Sequence, residues 1–256
     1  MLLYLAYSVN NNMLSINFTD TKKRIDAAVG NFLKGYGFTR EEIFSSPAET
    51  LYGFVRKDKF SNKQIISMRF YKNKNRYGIE VFTNIFVKNI ADFFRNAISL
   101  QYDENISVLS PDLGGLIAHK DKGTDLGGSR NQVIYLINND SDIDLLSTVI
   151  PERIKEYVFP YLDENSSIDR MDKLLNSNIE QVSLHHFFAV TKACFGIMIA
   201  RINNNPHLQE LIKQFRENLK PAKQKYQDEY EKIVSLVTQP SFSLSAEIDF
   251  PKLLKK

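Results

Sequence analysis

Apolar residues recur along the chain first at helical spacing, then in alternation, and at helical spacing again towards the end. Ile25, Ala28, Val29, Phe32 and Leu33 fall three and four apart, the period that lines one face of an α-helix. Thr19, Asp20 and Thr21 offer capping oxygens ahead of Lys22. Gly35-Tyr36-Gly37-Phe38 closes the pattern, because glycine takes the left-handed conformation at a helix end at little cost. The spacing predicts a helix over 20–35. Three runs rich in β-branched and aromatic residues follow, at 51–56, 64–71 and 77–87, and predict strands. The polar stretch from Asn73 to Arg76 reads as a hairpin turn between the last two.

Beyond the strands, Ile90, Phe93, Phe94 and Ala97 predict a short helix within 89–100. Residues 101–130, with Pro111 and the pairs Gly114-Gly115 and Gly127-Gly128, read as irregular, and 132–137 as a buried strand. A helix over 141–162 carries Leu145, Leu146, Ile150, Ile154, Tyr157 and Val158 on its apolar face. It is expected to break near Pro151 and to end at Pro160. A short helix at 167–175 follows. Residues 182–202 are apolar almost all round, the mark of a helix buried on several sides. After a turn at 203–206, an amphipathic segment runs from 207 to 237, with a break near Pro221. Strands followed by helices predict an α+β fold, a mostly antiparallel sheet flanked by helices with a C-terminal helical pair. The expected division is an α+β domain over 13–177, a helical extension packing on it over 178–238, and a tail over 239–256.

Composition narrows the function classes. Of 256 residues 43% are hydrophobic, with 18 Phe and 12 Tyr, enough for a substantial core. The 33 basic and 30 acidic residues leave a net charge of +3, without the concentrated basic stripe of a dedicated nucleic-acid binder. Lys252 to Lys256 read as part of a solvated tail. Cys194 is the one cysteine, which fits a reducing, cytoplasmic setting. No stretch reaches the roughly 20 apolar residues of a membrane helix. The apolar start of the chain is short and followed by Asn10-Asn11-Asn12, so Met13 is a candidate start and residues 1–12 are expected to be poorly ordered.

Catalytic chemistry finds little support. His185 and His186 are adjacent, whereas two helical metal ligands need a spacing of three or four. Cys194 lies in the most apolar helix, where it behaves as a small hydrophobe. Asp140, Asp142 and Asp144 alternate, but an EF-hand counted from Asp140 would need glycine and glutamate where Leu145 and Pro151 stand. Gly123 to Arg130 is glycine-rich without either phosphate-loop pattern and runs into a strand. No residue is therefore assigned as catalytic, metal-binding or cofactor-binding. An enzyme reading would draw on His119, Asp121, Asp125 and Arg130. A nucleic-acid reading would use Lys72, Lys74 and Arg76 beside Tyr71 and Tyr77.

The order of elements carries a resemblance. An opening amphipathic helix ends in Gly-Tyr-Gly-Phe, residues 51–56 form a strand of aromatic and Arg character, and a late helix runs into Pro160-Tyr161-Leu162 before a short helix at 168–175. Over about residues 15–177 the chain resembles the bacterial family known as domain of unknown function 4304. It departs from that family in lacking aromatic residues between Lys122 and Gly128. The resemblance implies no catalytic residues. It implies an immunity-type role, binding and neutralising a bacterial toxin. On that reading Asp140, Asp142 and Asp144 are the candidate contacts to a basic partner surface.

Overall fold

In the computed structural model, which describes residues 17–45, 49–73, 76–100, 106–122, 135–177, 179 and 189–254, the first helix, α1 (Phe18–Lys34), starts two residues ahead of its expected position. Asn17 is the cap, its side-chain oxygen accepting the Thr19 N–H at 2.9 Å. At the far end Gly37 has a φ of +82°, and the Phe38 N–H donates back to the Leu33 carbonyl at 3.2 Å. That is the glycine-closed ending the sequence predicts. Ile25, Val29 and Leu33 are fully buried.

The sheet is a five-stranded antiparallel meander in chain order: β1 (Thr39–Ser45), β2 (Glu49–Lys57), β3 (Lys63–Asn73), β4 (Arg76–Phe86) and β5 (Tyr135–Ile137). Strand β1 is absent from the sequence reading. Arg40, Glu41 and Glu42 make it look like a loop, but charges and a bulge, here between Glu42 and Phe44, are how an edge strand resists unwanted pairing. Directly opposed residues of an antiparallel sheet share a face. The register therefore puts Phe54, Ile66, Met68, Phe70, Ile79 and Val81 on one face, where all are buried. The other face carries rows that mix polar, aromatic and small residues.

Helix α2 (Lys88–Ala97) lies as expected. Helix α3 (Leu113–Lys122) corrects the reading of 101–130 as irregular. Pro111 precedes the helix, Asp112 caps it by accepting the Gly115 N–H at 2.8 Å, and the two glycines occupy its first turn. Helix α4 (Asp140–Arg153) runs through Pro151 without the expected break. It passes into a π-helical stretch (Ile154–Val158) and then α5 (Phe159–Asn165). The wider turn keeps Ile150, Ile154, Tyr157 and Val158 all facing inwards. Pro160 does not end the helix either. It sits where the π-helical stretch passes into α5, and the helix continues through it. Phe159 stacks on Phe38 and Phe32, with ring centroids 6.4 and 5.8 Å away.

Helix α6 (Ile168–Asn176) is followed by α7 (Ala189–Ile202), α8 (Leu208–Leu219) and α9 (Gln224–Val237), the last two separated at Pro221 as expected. Residues 132–134 and 182–188, where a strand and a helix are predicted, and residues 1–12 lie outside the described residues. The molecule is α+β. One buried cluster joins Ile25, Met68 and Leu162 to Phe195, Tyr230 and Leu253. The segment 241–254 has no helix or strand, yet alternate residues of it pack on the body. Leu253 is 5% exposed, and the Asp163 carboxylate accepts the Leu253 N–H at 2.8 Å and the Leu254 N–H at 3.0 Å. Among the described residues no helix is long and apolar enough to cross a membrane.

Candidate functional site

Asp140, Asp142 and Asp144 begin α4, and all three have work inside the chain. Arg24 of α1 donates to Asp140 at 2.7 Å and to Asp144 at 2.6 Å, with the two carboxylate side chains still 72% and 74% exposed. Asp142 closes a capping box with Asn139: its N–H donates to the Asn139 side chain at 3.0 Å and its carboxylate accepts the Asn139 N–H at 3.2 Å. The acidic cluster anchors a helix start to α1, and one of its three charges is offset by Arg24.

Of the four residues of the enzyme reading, His119 and Asp121 are described, and Asp125 and Arg130 lie outside the described residues. His119 and Asp121 stand two apart on α3 and point to different faces. Asp121 accepts the Tyr157 hydroxyl at 3.1 and 3.2 Å, and that hydroxyl accepts from Arg153 at 2.9 Å. Burial, and then the bond to Asp121, raise the Tyr157 phenol above its ordinary value. It is held as a neutral donor, the opposite of what a general base requires. Cys194 is buried, and burial and then the charge of Glu229 push its thiol up, away from a reactive thiolate. Tyr77 is buried with its ring 4.8 Å from Phe18, so it cannot stack on a base, and Lys72 lies 5.9 Å over that ring. Lys74, the Arg76 side chain, His185 and His186 lie outside what is described. Among the described residues no group of three or more His, Cys, Asp or Glu is placed to hold a metal.

Between α6 and α8 lies an open groove of about 340 Å³. Its floor is Asp172, 4% exposed, which accepts amide N–H groups from Asn176 at 2.6 Å, Asn203 at 2.8 Å and Asn205 at 2.9 Å. Asn203 and Asn205 belong to the turn between α7 and α8, where Asn204 takes a φ of +52°, a conformation asparagine tolerates well. Both oxygens of Asp172 are engaged, so the carboxylate ties α6 to that turn.

The second face of the sheet is built differently. Leu51, Arg69 and Glu80 form one row across β2, β3 and β4. Gly53, Ser67 and Phe82 form the next, and Glu49, Tyr71 and Gly78 lie on the other side of the first. Arg69 donates through Nε to Glu49 at 2.7 Å and faces Glu80 at 3.5 Å through Nη1. Glu80 is 7% exposed, whereas Leu51, Arg69, Tyr71, Phe82 and Asn84 are half-buried. Arg69 is thus hydrogen-bonded to the shallow carboxylate and within ion-pair distance of the deep one. The Tyr71 ring lies over Gly78 so closely that a Cβ there would stand 2.4 Å from its Cζ. Burial, and then the Glu80 charge, push the Tyr71 phenol up to about 12, with Arg69 opposing. Among the described residues, an apolar cover lies at one end of this face, where Val55, Ile65 and Phe86 meet Ala91 of α2. The arrangement offers aromatic and Arg anchors whose positions are fixed in advance, which suits recognition.

None of these rows is picked out by the sequence reading. The alternation of Ile65, Ser67, Arg69 and Tyr71 was available as a signal of a polar sheet face, but the pairing of Arg69 with Glu49 and Glu80 depends on register. No family model matches the chain, and neither a curated protein nor a solved structure does.

Proposed function

We propose that the chain is a non-enzymatic binding protein that acts in the cytoplasm by occlusion, laying the second face of its sheet over a protein partner. The observation that carries this reading is the face itself. Leu51, Tyr71 and Phe82 stand half-open around an Arg69 that is hydrogen-bonded to Glu49 and paired with Glu80 at 3.5 Å. Interface energy concentrates in such Tyr and Arg anchors, and a pinned Arg has less conformational freedom to lose on binding. The acidic start of α4 is a weaker candidate for the contact, because Arg24 and Asn139 already use its carboxylates.

The resemblance adds the class of partner. An immunity-type protein covers the working surface of a bacterial toxin, and occlusion needs no chemistry from the chain that covers. The test is functional. A protein captured by this chain is expressed alone and together with it. Growth arrest by the partner alone and relief on co-expression support the reading. A harmless partner, or a toxic one that co-expression does not relieve, refutes the immunity role.

A further inference from the structure

The segment after α9 is held the way a bound peptide is held. Phe242, Leu244, Ala246, Ile248 and Phe250 are half-buried, while Ser241, Ser243, Ser245, Glu247 and Asp249 between them are exposed. That is the period of a β-strand, yet among the described residues no strand pairs with the segment. Side chains of the body take hold of its main chain instead. Asn89 donates to the Ser245 carbonyl at 3.0 Å and Asn62 to the Glu247 carbonyl at 2.7 Å. Asp58 accepts the Asp249 N–H at 2.9 Å, and Asp163 accepts those of Leu253 and Leu254. Phe242 packs edge-on against Phe93, with centroids 5.5 Å apart. Main-chain contacts of this kind accept any extended peptide, and the seats for alternate side chains select among them.

The seat is not filled to best advantage. A hollow of about 60 Å³ remains where Phe60, Asn62 and Asn89 face Ser245, Ala246 and Glu247. Arg56, 7% exposed, lies with its guanidinium 5.7 Å from the rings of both Phe38 and Phe250. Its Nη2 donates to the Pro251 carbonyl, and its Nε has no partner among the described residues. The carboxylate of Asp163 is engaged by the N–H groups of Leu253 and Leu254. Asp163 lies near enough for its charge to favour the Arg56 cation against burial, yet the hydrogen bond of Arg56 goes to a neutral carbonyl, although the planar guanidinium fork is shaped for a carboxylate.

We propose that the seat under residues 241–254 is a docking groove for the extended C-terminal end of another protein, whose terminal carboxylate pairs with Arg56 at the place of the Pro251 carbonyl. The chain's own segment fills the groove in cis. Tethering gives that segment an effective concentration on the order of millimolar, which the stronger ion pair of the incoming carboxylate offsets. This site is separate from the sheet face and does not depend on it.

The test uses the full chain carrying Phe242→Ala, which weakens the tethered segment itself and leaves the groove, Arg56 and the nearby Asp163 charge in place. Asn89→Ala serves if that variant does not fold. The probe is a fluorescent peptide of the sequence Ser241 to Pro251, made once with a free terminal carboxylate and once as the amide, and read by anisotropy. The acid form is expected to bind about tenfold tighter than the amide, and adding Arg56→Gln is expected to abolish the difference. Equal affinities, or no binding of either peptide, overturn the proposal. A concentration-dependent dimer formed by exchange of the segment between copies also overturns it, by assigning the seat to a second copy of this chain.

Discussion

Asp172→Ala removes the one acceptor shared by three asparagine amides. The carboxylate is 4% exposed and receives Asn176, Asn203 and Asn205 at 2.6 to 2.9 Å. Hydrogen bonds to a charged group contribute roughly 1.5–3 kcal/mol each when taken singly. They do not sum here, because the three share one desolvated charge whose burial is itself costly. Asn176 also keeps its bond to the Gly196 carbonyl at 3.1 Å, and Asn203 and Asn205 are only half-buried. The expected loss is therefore about 2–4 kcal/mol. Asp172→Asn keeps the shape and one oxygen, which can still accept from Asn203 and Asn205. Its new amide then faces Asn176, whose Oδ1 has no partner among the described residues and can turn to meet it. That variant is expected to lose about 1–2 kcal/mol. Urea unfolding followed by circular dichroism measures both, provided the slope m stays constant. An alanine variant within about 0.5 kcal/mol of wild type, or an asparagine variant as damaged as the alanine one, would refute the reasoning.

Other sites give independent tests. Gly196→Ala would place a Cβ 2.6 Å from Asn176 Oδ1 and 2.9 Å from the buried Phe215 ring, and should cost about 1–3 kcal/mol in the same unfolding assay; no loss would mean that the α6–α7–α8 packing is loose. Gly78→Ala meets first the far end of the half-exposed Tyr71 ring, so the ring should swing out with little change in the unfolding midpoint, and Tyr71 should ionise nearer its ordinary value. The Tyr71 and Tyr135 phenols are both pushed up to about 12, chiefly by burial, from an ordinary 10.0. A phenol raised by folding contributes stability that is whole below its unfolded pKa and is lost as pH rises through the folded one. Urea midpoints should therefore hold below about pH 10 and fall between about 10 and 12. Midpoints unchanged across that window would contradict the burial of both rings. Cys194 should resist thiol reagents in the native protein and react only as the chain unfolds; prompt stoichiometric labelling would show that α7 is not buried as described.

How much could be read from the sequence depended on whether a feature is local. Helix α1, strands β2 to β4 and the break at Pro221 carry their own periodicity and breakers, and were legible. Strand β1 was not, because what makes Thr39–Ser45 extended is the register with β2, while its charges reflect its edge position. The glycine pair of α3 reads as loop chemistry in the sequence, whereas in the fold Asp112 caps the helix that contains it. Pro151 and Pro160 looked like helix ends, but the continuous buried face from Ile143 to Leu162 outweighs the missing N–H groups. The alternation from Phe242 to Phe250 is present in the sequence, but a strand pattern with no partner strand reads as a tail. The candidate site is the extreme case. The acidity of Asp140, Asp142 and Asp144 is plain in the sequence, but Arg24 lies 116 residues from Asp140. The row of Leu51, Arg69 and Glu80 exists only once three strands are in register.

The central claim, that the second face of the sheet is a protein-binding surface, is tested most directly by affinity capture with the tagged chain from a lysate of its native cells. Wild type, the double variant Leu51→Asp with Arg69→Ala, and Asp142→Ala would be run side by side at moderate salt. One stoichiometric protein should be retained by wild type and by Asp142→Ala, and lost from the double variant while that variant keeps a native circular dichroism spectrum. The same protein retained undiminished by the folded double variant would contradict the account.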